Sequence, residues 1–332
     1  MTVPSWVLKA AAQSGLSLLP KNHVWNYLLQ KHVTKSLDLN PEWFERKLAQ
    51  SRMHIENYLA ARPARWAPRS VFEIGTGWYP VLPLALYVCG AARIWTIDKF
   101  PWLRLDAVRA TIRLFVEYAA SGRLSQTLPW AREERLADLL QVLEDPQLRS
   151  AASMLERLKI YAWADDGGET GLPASSIDFL VSIGVLQYIP DGPLERIFVE
   201  LRRIASPHAV MSHHISLDDD YAIFDPCITP YNFLQYPRST WRLFNSSLNY
   251  QNRLRLSDYR RIHQSAGFKI VWEDNEKGSP ADLDRVRLAK EFQCYPREEL
   301  LVLRTWITSV PAVQPTSRPA TLGCVLPPAP SR

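Results

Sequence analysis

Residues 71–80 read VFEIGTGWYP: a short apolar run interrupted by one acid, two glycines at close spacing, then bulk crowding the turn. A buried strand, a bare glycine turn and an apolar helix after it form the ligand-binding end of a doubly wound α/β sheet. Such a turn serves either a phosphate or an unphosphorylated nucleoside. A dinucleotide pyrophosphate needs GxGxxG, whose third glycine lets the helix approach the strand. Here Gly75 and Gly77 are present, but the third position is Pro80, behind Trp78 and Tyr79. A pyrophosphate cradle, and with it a dinucleotide oxidoreductase, is therefore disfavoured.

The rest of the chain follows the same rhythm. Val71–Ile74 reads as a first strand, Val81–Cys89 as the helix behind it, and Arg93–Ile97 as a second strand ending at Asp98. Residues 104–120 read as a helix, and 131–159 as a charged, Leu-rich helical insertion. Further strands are expected at 160–163, 177–182, 209–214, 268–272 and 300–306. Strands alternating with helices predict a mostly parallel sheet covered on both faces. Ahead of it, residues 22–35 carry one apolar helical face, and Asn40-Pro41-Glu42 opens a second helix with a capping residue, a first-turn proline and an early acid. The proline-rich stretch 311–332 predicts a disordered tail.

Composition excludes several classes. The net charge of +5 comes from bases scattered among acids, so no nucleic-acid footprint is expected. Cys89, Cys227, Cys294 and Cys324 form no CxxC pair, which argues against structural zinc or a disulfide framework and fits a reducing cytoplasm. Lys9, Gln13 and Ser14 interrupt the apolar run near the N-terminus, so neither a secretory signal nor a membrane span is expected.

Glu73, two residues before Gly75, points to the nucleoside alternative. The run resembles the ExGxG turn of class I S-adenosylmethionine-dependent methyltransferases. Other residues agree in order and spacing: Asp98 ends the second strand 21 residues after Gly77, where an acid accepts from ribose hydroxyls, and Asp165 lies 13 residues before Asp178. SSIDFLVSIGVLQYIPD is similar to the family's fourth-strand motif. The resemblance covers about 65–310. It implies a Rossmann-like, doubly wound, seven-stranded sheet and S-adenosylmethionine as cofactor, contacted by Glu73, Gly75, Thr76, Gly77, Asp98, Lys99, Asp165, Ser182 and Gln187. It also implies an N-terminal helical cap (1–65), a cofactor-binding domain (66–310) with a helical insertion (121–159) and an aromatic-rich cap (217–255), and no metal.

A narrower resemblance is to a bacterial subgroup of methyltransferases carrying DHYxHFD. This chain has Asp219-Asp220-Tyr221-Ala222-Ile223-Phe224-Asp225, so both histidines are replaced. Residues 221–250 hold eight aromatics, either a packed cap or an aromatic wall beside a sulfonium. The wall reading nominates Tyr221, Tyr231, Tyr236 and Trp241, with Asn232 to orient a substrate. His213 and His214 face opposite sides of the fifth strand, and one of them, His214, is expected at the cleft as a proton acceptor, with Tyr188 on the pocket floor. Arg253, Arg255, Arg260 and Arg261 are either a solvated face or a substrate-anion clamp. The reaction expected is methylation of a small molecule on oxygen or nitrogen. The alternatives are cyclisation of the cofactor, as in azetidine-2-carboxylate synthases, and a non-catalytic cofactor-binding scaffold.

Overall fold

The computed structural model describes residues 4–17, 39–63 and 68–312. The helix expected over 22–35 and nearly all of the expected tail lie outside those residues. Two helices precede the sheet, α1 (Ser5–Ser17) and α2 (Pro41–Ala61). The Asn40 side chain accepts from Trp43 N at 2.8 Å, so the capping signal acts as expected. The first half of the sheet follows: β1 (Val71–Ile74), α3 (Val81–Val88), β2 (Ile94–Asp98), α4 (Leu105–Ala120), α5 (Arg123–Thr127), α6 (Glu133–Glu144), α7 (Ala151–Arg157) and β3 (Ile160–Ala164). The insertion is thus several helices rather than one. Asp145-Pro146 stops α6, because proline disfavours helical geometry in the residue before it, and Ser150 caps α7 anew.

The second half comprises β4 (Ile177–Ile183), α8 (Asp191–Ile204), β5 (Ala205–Ser216), α9 (Arg238–Trp241), α10 (Leu256–Ser265), β6 (Phe268–Lys277), α11 (Pro280–Asp284), α12 (Arg297–Leu300) and β7 (Val302–Pro311). The last three strands outrun their expected bounds. The strand order is β3-β2-β1-β4-β5-β7-β6, parallel throughout except for β7, which pairs antiparallel with both β5 and β6. This is a doubly wound, mostly parallel seven-stranded sheet, the Rossmann-like methyltransferase fold. The chain winds outward from β1 in one direction and from β4 in the other, so the crevice at the carboxyl ends of β1 and β4 is the switch point where ligands bind.

Alternation along the strands separates two cores. Val71, Val181 and Val210 pack with α2, α3 and α4 on one face. Phe72, Leu180 and Met211 pack with α8 and α10 on the other. α2 is pinned to its face by polar contacts inside the core: His54 Nδ1 and Asn57 Nδ2 meet Ser212 Oγ at 2.9 and 3.1 Å. A third cluster joins α1 to the segment after β5, with Trp6 against Tyr221, Tyr236 and Phe244. Among the described residues no helix is long and apolar enough to cross a membrane.

Candidate functional site

The glycine turn takes its shape from close packing. Gly75 has φ +90°, and a Cβ there would sit 2.1 Å from Val185 Cγ2, so no other residue fits without moving the β4 connection. Gly75 N and Thr76 N both donate to Ile97 O, at 2.7 and 3.2 Å, folding the turn over the end of β2. Gly77, at φ +67°, has nothing within 4 Å of where a Cβ would be; its side faces the crevice. Beneath the turn, Thr96 donates to the buried Glu73 carboxylate and is hydrogen-bonded to the Thr76 hydroxyl. Burial raises Glu73 to about 7, opposed by the Thr96 bond and by the positive charge of Lys47.

Asp98 stands beside this turn. Its Oδ2 accepts from Gly77 N at 3.0 Å and its Oδ1 from Phe100 N at 3.4 Å, and the Trp102 indole and Lys99 N–H also donate to the carboxylate. Next to it is a cavity of about 140 Å³ whose lining includes Thr76, Gly77, Asp98, Phe100, Trp102 and Trp163. Trp102 lies between Trp78 and Phe100, tilted against the first at 4.1 Å between centroids and edge-on to the second at 5.1 Å. The bulk that crowds the turn therefore builds one aromatic side of the crevice. Asp165 follows β3; its N–H donates to Asp98 O at 2.9 Å, while its carboxylate accepts from Gly167 N at 2.7 Å and so orders its own loop. Lys99 is exposed, its ammonium 5.5 Å from the Phe100 ring. A phosphate would find little at the start of α3: Pro80 is the cap, Val81 N already donates to Tyr79 O at 2.8 Å, and Pro83 removes another N–H from the first turn.

At the ends of β4 and β5 the placement differs from expectation in one respect. Ser182 is fully buried on the face opposite Glu73, bonded through Oγ to His213 Nδ1 at 2.7 Å. Its side chain is part of the core around Phe198, because it falls one residue out of phase with Val181. His213 and His214 do face opposite sides. Burial lowers His213 to about 3, and lowers His214 to about 4 with help from Lys47 and Arg304. His214 lies against Trp306 at 4.8 Å with its Nδ1 unpartnered, on the same face as Glu73. Gln187 is buried, and its Oε1 is also unpartnered. Tyr188 is 42% exposed, yet its hydroxyl is hydrogen-bonded to Asp220. Burial raises Asp220 to about 7, against the Tyr188 bond and with the repulsion of Asp218 and Asp219.

The aromatic segment is packed rather than open. The Tyr221 hydroxyl donates to Phe244 O at 2.9 Å and the Tyr231 hydroxyl to Leu301 O at 3.0 Å; both residues and Trp241 are buried in the third cluster. Asn232 donates to Asp219 Oδ2 at 2.9 Å and accepts from Gln235 at 2.7 Å, so both ends of its amide are engaged. Tyr221, Tyr231, Tyr236 and Trp241 do not form a wall here, because Trp6 of α1 and the residues around Leu301 cover the rings. The anion clamp fares no better. Arg253 is held by two backbone carbonyls and Glu291, Arg255 by Leu217 O and Val302 O, Arg260 by Glu273 and Arg261 by Glu195.

Sequence reading missed Thr96, Lys47, Asp220 and Asn252. Asn252 Nδ2 donates to Leu186 O and Ile189 O, both at 2.9 Å, and so fixes the turn carrying Gln187 and Tyr188. Only Lys47 left a signal, a lysine on the same helical stripe as Ser51 and His54. Among the described residues, no group of three or more His, Cys, Asp or Glu side chains could hold a metal ion.

No family model and no curated protein matches this chain. Solved structures do. A methyltransferase in complex with the Trm112 methyltransferase activator of Haloferax volcanii is 14% identical, at a TM-score of 0.42, covering 82% of this chain and 96% of that one. An S-adenosylmethionine-dependent methyltransferase from Methanosarcina mazei is 16% identical, at a TM-score of 0.42, covering 84% and 100%. Geranyl diphosphate C-methyltransferase from Streptomyces coelicolor is 9% identical, at a TM-score of 0.43, covering 80% and 79%. Likenesses this distant transfer neither substrate nor reaction.

Proposed function

We propose that this chain is an S-adenosylmethionine-dependent transferase that methylates a small molecule on oxygen or nitrogen. The observation that carries the reading is the setting of Asp98. It ends β2 with its carboxylate in the cavity lining, between an open Gly77 and an aromatic side, beside a helix start with little to offer a phosphate. That suits a ribose diol on an unphosphorylated nucleoside. Bound S-adenosylmethionine would supply an electrophilic methyl carbon on a sulfonium. The chain's own task is alignment and exclusion of water. Asp98 would hold the ribose, Trp102 and Trp163 would border the base, and the Gly75–Gly77 turn would let the backbone come close.

For a hydroxyl or amine acceptor, the proton would pass to the Tyr188–Asp220 pair. Asp220, at about 7, is a better acceptor at neutral pH than His214, at about 4. No feature of the site favours cyclisation of the cofactor over methyl transfer, and the nucleoside released separates the two. The reading is tested by thermal unfolding with S-adenosylhomocysteine and with NAD. S-adenosylhomocysteine at 100 times its Kd stabilises by about 2.7 kcal/mol through linkage. Stabilisation by NAD alone would overturn the reading.

A further inference from the structure

The contacts that pin α2 to the sheet also fix where its N-terminal half lies. His54 and Asn57 meet Ser212, while Arg62 Nε donates to His208 O at 2.9 Å. Rising helix numbers meet falling strand numbers, so α2 runs antiparallel to β5. Counting back from His54 to Lys47 moves roughly 10 Å along a helix. Counting on from Ser212 to Ile215 moves roughly 10 Å along a strand. Lys47 therefore stands level with His214 and Ile215, at the carboxyl edge of the sheet. The period of two puts Glu73 and His214 on this same face, since Val71 and Val210 pack under α2.

The Lys47 side chain is half-buried, and its ammonium makes no ion pair among the described residues. The stem is held by an aromatic wedge: the ammonium is 5.6 Å from the Trp43 ring, and Trp43 packs edge-on against Tyr79 of the glycine turn at 5.7 Å. Burial lowers Lys47 to about 8, with Glu73 opposing the shift, so the amine is mostly charged at neutral pH. Close by are Glu73, already bonded to Thr96, and the unpartnered Nδ1 of a neutral His214. One unpaired cation beside one carboxylate, both at the carboxyl edge of the sheet on this face, matches a zwitterion. It matches neither a neutral ligand nor a dianion.

We infer that Lys47 binds the α-carboxylate of the cofactor's aminocarboxypropyl arm, leaving Glu73 to face the arm's ammonium. This assignment rests on the S-adenosylmethionine reading. It gives α2 a role in ligand binding: the helix carries the cation to the sheet edge, and the buried His54–Ser212–Asn57 contacts set its height.

The test is calorimetric titration of the full chain and its Lys47→Met and Lys47→Arg variants with two ligands. S-adenosylhomocysteine carries the amino-acid arm, and 5′-methylthioadenosine lacks it. Methionine keeps the packing on Trp43 without the charge. Lys47→Met is expected to bind S-adenosylhomocysteine at least tenfold more weakly and 5′-methylthioadenosine unchanged, with Lys47→Arg recovering part of the loss. Unchanged affinity for S-adenosylhomocysteine would overturn the assignment. So would an equal fall for both ligands, which would mark Lys47 as structural. Should the unmodified chain bind neither ligand, the cofactor reading itself fails, and that outcome is recognisable without any variant.

Discussion

Replacing Asp98 separates ligand binding from folding, because its two oxygens do both jobs. In Asp98→Ala, Gly77 N, Lys99 N, Phe100 N and the Trp102 indole lose their acceptor. These lie at the half-open crevice where water substitutes, so the cost to folding should be about 1–2 kcal/mol. The cost to binding is larger. Hydrogen bonds to a charged group contribute about 1.5–3 kcal/mol each, so losing both to a ribose diol removes at least about 3 kcal/mol, roughly a hundredfold in Kd. Asp98→Asn sharpens the comparison. Its remaining carbonyl oxygen can still accept from Gly77 N–H, while its amide can no longer serve as a charged double acceptor. The asparagine variant should therefore melt close to the unmodified chain yet still bind S-adenosylhomocysteine at least tenfold more weakly. Calorimetric titration and thermal unfolding on the same preparations measure both. A folded Asp98→Ala variant with unchanged affinity would refute the placement of the ribose.

The two turn glycines should differ. Gly75→Ala forces a methyl into Val185 at φ +90° and should lose several kcal/mol of stability by thermal unfolding, whereas Gly77→Ala meets open space and should cost only about 1–2 kcal/mol while weakening S-adenosylhomocysteine. Tyr231→Phe leaves Leu301 O with only the Gly278 N–H as donor and should cost about 1 kcal/mol of stability with turnover per folded molecule unchanged; a tenfold loss of turnover would restore Tyr231 to the site. His213 is held at about 3 by burial, against about 6.5 unfolded, so the unfolded chain takes up more protons as pH falls below about 6.5. Its contribution is fully present above that pH and is lost toward about 3. Relative to His213→Gln, the unmodified chain should lose about 1.2 kcal/mol between about pH 7 and pH 5.5; the other buried histidines and the raised carboxylates cancel in the difference. Equal slopes for the two proteins would contradict a buried neutral His213.

The parts of the site legible in the sequence are those where local backbone chemistry leaves few choices. Gly75 and Gly77 need left-handed backbone, Asp98 needs only to end a strand, and Asn40 needs only to precede a helix. Each is readable from its neighbours. Ser182 was misplaced because a single residue of phase sends a side chain to the other face of the sheet, and phase is set by the pairing with β1 and β5. The aromatic segment left cap and wall both open for a different reason. Its density is visible, but what covers it is Trp6 on α1 and the Leu301 region, distant in the chain and joined only by tertiary packing. The arginines were likewise undecidable, since carbonyl acceptors such as Leu217 O leave no trace in sequence. Lys47 and Asp220 owe their settings to burial and to charges from other elements, and composition reveals neither.

Identifying the nucleoside released from S-adenosylmethionine, first with the chain alone and then with a metabolite extract added, decides whether the methyl carbon is attacked. S-adenosylhomocysteine is expected, formed only when the extract supplies an acceptor, with the rate rising as pH increases through about 7 as Asp220 ionises. Release of 5′-methylthioadenosine by the chain alone would contradict methyl transfer and identify cyclisation of the cofactor instead.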